Sequence, residues 1–70
     1  MQEIYPAVIK QNGSWWIGLI EEVPGVNCQE RTKEALVKSL RETLREAVKF
    51  NRHEAIEAAG ESFEETAITL

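Results

Sequence analysis

Seventy residues hold one domain and exclude an enzyme assembled from two halves, and a chain this short buries only about 60% of the surface it exposes when unfolded. Eight Lys and Arg stand against twelve acidic residues, all of them Glu, giving a formal charge of −4; that balance disfavours nucleic acid as a direct ligand and is equally compatible with a basic protein partner met through complementary fields. A lone cysteine, Cys28, excludes an internal disulfide and a cysteine-built zinc site, and fits a reducing compartment.

Met1, Gln2, Glu3 and Ile4 lack the basic and apolar regions of a signal peptide, and no apolar run nears the roughly 18 residues of a membrane span. The expectation is a soluble, cytoplasmic protein with no membrane partner. In chain order, residues 4–10 are rich in β-branched and aromatic side chains and lead into Asn12-Gly13, the strongest short hairpin signal. Residues 14–20 form the second strand, where Gly18 leaves room for another layer to approach. Glu21 and Glu22 lead into Val23-Pro24-Gly25. Pro24 fixes φ and Gly25 supplies a positive φ, as the centre of a type II turn requires, and residues 26–30 return as a third strand.

Thr32 is placed to cap a helix, with Glu34 at the positive end of its dipole. Leu36, Val37, Leu40, Leu44, Ala47 and Val48 fall within about 120° of the helical wheel, an apolar stripe suited to covering a sheet. This helix is predicted to end between Phe50 and Arg52, followed by a further turn or short helix over residues 53–59 and a Gly60 C-cap. Residues 63–70 return to strand composition and predict a fourth strand. The expected fold is α+β in the order β-β-β-α-β, a single domain over residues 1–70.

Tyr5-Pro-Ala-Val-Ile-Lys, Trp16-Ile17-Gly18, Val23-Pro24-Gly25-Val26-Asn27-Cys28 and Thr32-Lys33-Glu34-Ala35-Leu36, taken with their spacing, resemble the HicB-like antitoxin family. The motif residues are Asn12, Gly13, Pro24, Gly25, Thr32, Glu34 and Leu36. The resemblance covers Tyr5 to about Arg52. It implies a truncated ribonuclease H-like fold: a three-stranded antiparallel meander, one long helix packed on it, and a C-terminal fourth strand beside the first. It also implies a binding scaffold rather than a nuclease. Family antitoxins commonly append a DNA-binding helix-turn-helix or ribbon-helix-helix, so this chain resembles a short, stand-alone member without one. It departs from the family at Glu21-Glu22, where Pro-Asp is frequent, and at Glu30 or Arg31, where Gly is frequent.

The chemistry-bearing residues support the same expectation. A ribonuclease H-type reaction needs carboxylates converging on divalent ions, yet residues 5–9 carry none, and Glu21 and Glu22, being adjacent, point to opposite faces of an extended backbone. His53, the only histidine, lies about 21 Å from Ser39 along a continuous helix, too far for a dyad, and reads as a surface residue. Cys28 reads as a small core residue rather than a nucleophile. Lys38, Arg41, Arg45, Lys49 and Arg52 form a basic stripe about 80° wide that resembles an RNA site, but Glu34, Glu42 and Glu46 interleave with it at ion-pairing spacings and favour a solvated face. Trp15 and Trp16 are consecutive on a strand, so one enters the core while the other emerges. One helix covers one sheet face only, which leaves the other for association.

The sequence therefore predicts a non-catalytic module with no cofactor and no metal. Its acidic, partly apolar surface would mask a small basic HicA-type toxin that cleaves mRNA, with Trp16, Glu21, Glu22 and Pro24 as contacts. The alternative is a homo-oligomeric structural or regulatory protein, dimer or tetramer, without a toxin; a glutamate-based metal nuclease is the third and weakest reading.

Overall fold

The computed structural model describes residues 4–69. Strands β1 (Ala7–Asn12), β2 (Trp15–Ile20) and β3 (Asn27–Glu30) form an antiparallel sheet in the order β1-β2-β3, and helix α1 (Lys33–Ala59) follows. The α+β class and three-stranded meander are as expected.

The first hairpin forms, with its turn one residue later than Asn12-Gly13 alone suggests. Asn12 pairs with Trp15, so the central residues are Gly13 and Ser14. Gly13 has φ 65° and no residue other than glycine has a positive φ among the described residues, which matches a II′ turn rather than the I′ turn that needs positive φ at both central positions. The shift moves each β1 residue's partner by two positions along β2, so Ile9 sits opposite Gly18 rather than Trp16 while the same alternate side chains share a face.

The second turn is the one the sequence specifies. Val26 N–H donates to the Val23 carbonyl at 3.2 Å across Pro24 and Gly25, and Gly25 has φ 91°, as position i+2 of a type II turn requires. Ile20 N–H donates to the Val26 carbonyl at 3.1 Å and Glu21 N–H to the Pro6 carbonyl at 3.2 Å. These bonds fold the turn inward and bury Val23 and Val26 beside Ile20, Leu36 and Leu40.

Thr32 caps α1: its hydroxyl accepts from Ala35 N–H at 3.1 Å and its carbonyl from Leu36 N–H at 3.0 Å. The helix backbone lies over β2 and β3, and β1 reaches the core through the side chain of Ile9. Gly18 allows the close approach: a Cβ there would lie 2.8 Å from Leu40 Cδ1 and 2.9 Å from Ile9 Cγ2.

Two expectations are corrected. The helix does not end between Phe50 and Arg52; it is one element of 27 residues closed by Gly60, whose N–H donates to the Ile56 carbonyl at 3.2 Å. Residues 53–59 contain neither Gly nor Pro, so the helix propagates without interruption. The fourth strand is not formed in residues 61–69, which carry neither helix nor strand and are exposed throughout; Leu70 lies outside the described residues. Contact with the sheet ends near Val48, and every residue from 49 to 60 is exposed. Twelve residues of helical rise therefore place Gly60 about 18 Å beyond the packed region. A chain this long would have a radius of gyration of about 11 Å if compact, against the 15.2 Å and the 51 Å long axis found.

Candidate protein-docking face

Cross-strand register decides which side chains share a face. Gly18 and Ile20 lie against α1, so Trp16 on β2, and Ile9 and Cys28 opposite Gly18, share that inner side. All three pack on the buried core. The opposite face carries Val8 across from Leu19, Lys10 across from Ile17, and Asn12 across from Trp15, with Asn27 and Gln29 completing it on β3. Val8 is 50%, Leu19 46% and Trp15 36% exposed, and Ile17 is half-buried between them. No helix covers this face.

Arg31, just beyond β3, orders one end of it. Its guanidinium lies over the Trp15 ring, 4.1 Å from the centroid, and donates to Ser14 Oγ at 3.1 Å. A cation held over an indole face fixes the ring's orientation and contributes about 0.5–1 kcal/mol at an exposed site. The face thus has a positioned aromatic at the Arg31 end and exposed Glu21 and Glu22 just past the other end of β2.

The residues chosen from the sequence do not gather on one surface. Glu21 and Glu22 are exposed beside the Ala7 end of the hairpin. Trp16 faces the helix, half-buried, at the far end of β2, and Pro24 lies with Val23, Ala47 and Phe50 on the helix side. The tryptophan available to a partner is Trp15. Sequence alternation separates Trp15 from Trp16 without ranking them. Gly18 marks a face with room for another layer, that of residues 16, 18 and 20, but only the packing shows that α1 occupies it.

The reactive-looking residues have structural partners. Cys28 Sγ lies 3.6 Å from Thr43 Oγ1, and Ser39 Oγ donates to Glu30 Oε2 at 2.7 Å; both contacts pin α1 to β3. His53 pairs with Glu57 at 3.1 Å on the exposed end of α1. Among the described residues no cluster of three or more His, Cys, Asp or Glu forms a metal site, and no buried polar side-chain atom lacks a hydrogen bond. No described helix is long and apolar enough to cross a membrane. Compared with protein-family models, curated proteins and solved structures, the chain matches none.

Proposed function

We propose that the chain is a HicB-like antitoxin module whose open sheet face docks a small basic toxin of the HicA type and blocks its access to mRNA. The observation that carries this reading is the helix-free apolar face of Val8, Trp15, Ile17 and Leu19; a rigid aromatic beside aliphatic neighbours has the make-up of an interface anchor. The sequence resemblance supplies the class of partner, and the net charge of −4 favours a basic one. The face itself carries Lys10 and Arg31, so the acidic contribution falls to Glu21 and Glu22 at its end, where their carboxylates would occupy positions otherwise taken by RNA phosphates. Under this reading the fold is a truncated ribonuclease H-like scaffold used for binding.

The test is co-purification of the tagged full chain with a small basic ribonuclease, followed by inhibition of its RNA cleavage. Trp15→Ala should weaken the complex about 30-fold, as loss of an aromatic anchor does. Recovery of no such ribonuclease at any salt concentration would overturn the reading.

A second reading, a homo-oligomeric structural or regulatory protein without a toxin, is supported by a separate observation: residues 49–69 are exposed from end to end.

A further inference from the structure

An exposed segment and an open groove in this molecule match one another. The sheet has two edges, β1 and β3. Because α1 lies over β2 and β3 but not over β1, a groove runs along the inner side of β1. It is floored by Ala7, Ile9, Ile20, Leu40 and Leu44, and it continues down the helix past Val48. Tyr5 borders it throughout, and Arg41, Arg45, Lys49 and Arg52 line it with one acidic residue, Glu46, among them, so most of the stripe that reads as a solvated face in sequence borders an apolar slot. At the other edge, β3 has four residues, Asn27, Cys28, Gln29 and Glu30, and the pocket beside its start, between Val23, Val26, Ala47 and Phe50, is lined by no basic side chain.

Residues 61–69 have the complementary character. Glu61, Glu64 and Glu65 precede a stretch of strand composition, Thr66, Ala67, Ile68 and Thr69, and every side chain is exposed. In an extended conformation Thr66 and Ile68 share one face, so an apolar side chain can enter the slot while the carboxylates run along its basic side chains. An unpaired strand edge offers alternate backbone N–H and C=O groups to such a segment.

Reach and direction decide whose edge it is. Strands β1 and β3 are parallel to each other, because each pairs antiparallel with β2, and α1 runs back against β3. To reach β1 of its own chain, the tail must reverse at Gly60 and use about five extended residues to recover the 18 Å of helical overhang, while residues 49–59 stay bare. When two overhangs lie antiparallel about a twofold axis near Glu54, Gly60 of one chain comes level with Val48 of the other. The tail then enters the partner's groove directly, travelling in the direction of its β1. Asn51, Glu54, Ala55 and Ala58 continue the stripe of Leu36, Leu40, Leu44 and Ala47, and the small side chains of Ala55 and Ala58 let the two helices approach.

We propose that the protein is a strand-exchanged dimer, in which residues 61–69 of each copy enter the β1 edge of the other and seat Ile68 in the groove between β1 and α1. This proposal rests on the association reading and not on the toxin reading. Sedimentation equilibrium of the full chain is expected to give twice the 8.0 kDa chain mass. Ile68→Glu should weaken the dimer about 30-fold or more, because it removes a buried apolar side chain and places a charge in the slot; its helical circular dichroism should be retained, since α1 forms within one chain and Ile68 is 79% exposed there. In a dimer mixed from isotope-labelled and unlabelled chains, filtered nuclear Overhauser effects should connect the Ile68 methyl groups of one chain to β1 of the other. A monomer at millimolar concentration would overturn both association and exchange. A dimer indifferent to Ile68→Glu, or one without interchain contacts to β1, would leave association standing and overturn exchange.

Discussion

Residues 7–48 and residues 49–69 are governed by different forces within one chain. In the first region each element presents an apolar face and another element covers it: Leu36 is fully buried, with Leu40, Ile20, Val23 and Val26 around it. In the second, the positions that continue the stripe of α1 are Asn51, Glu54, Ala55 and Ala58, which offer little apolar depth, and all are exposed. The helix nevertheless runs on, because extending an existing helix adds a hydrogen bond for each residue fixed, whereas starting one is costly. The contrast shows that propensity sets how far a helix extends and side-chain depth sets how far it packs.

This comparison can be broken at its strongest point first. Leu36→Ala should cost about 3–4 kcal/mol of unfolding free energy, the sum of lost burial and a residual cavity, read as a lower urea midpoint; a cost below 1 kcal/mol would show that the sheet and helix are not joined at Leu36. Gly18→Ala should cost about 1–2 kcal/mol, since the new Cβ meets Leu40, Ile9 and Leu36 and overpacking outweighs the gain from a stiffer unfolded chain. Thr32→Ala should cost about 1 kcal/mol through the lost cap on the Ala35 N–H; Thr32→Ser should restore most of it. At dilutions where association is absent, Ile56→Ser should change stability by less than about 0.5 kcal/mol, because Ile56 is 44% exposed on the bare part of the helix. A larger loss there would show that this half of α1 is packed within a single chain.

Much of the packed region was legible from residues alone. Asn12-Gly13 marked the hairpin, Pro24-Gly25 marked the second turn, and Thr32 marked the start of α1 because its side-chain oxygen competes for a backbone N–H. The stripe through Leu36, Leu40, Leu44 and Ala47 marked the face that meets the sheet. Three features were not legible, for separate reasons. The one-residue offset of the first turn depends on Ser14 sharing it, which the preference for Asn-Gly does not reveal. Val23 and Val26 flank a turn, and only the inward hydrogen bonds from Ile20 and Glu21 make them core. The choice of Trp15 over Trp16 for the open face required knowing which side of Gly18 the helix lies on.

Local chemistry was enough to specify three strands, two turns and a capped helix, because glycine conformational freedom, proline geometry, side-chain capping and hydrophobic periodicity each act over a few neighbouring residues. Tertiary structure decided which tryptophan faces outward, where helix packing stops, and that the basic stripe borders a groove beside β1. Those outcomes depend on which surfaces meet, and residues distant in the chain set that jointly.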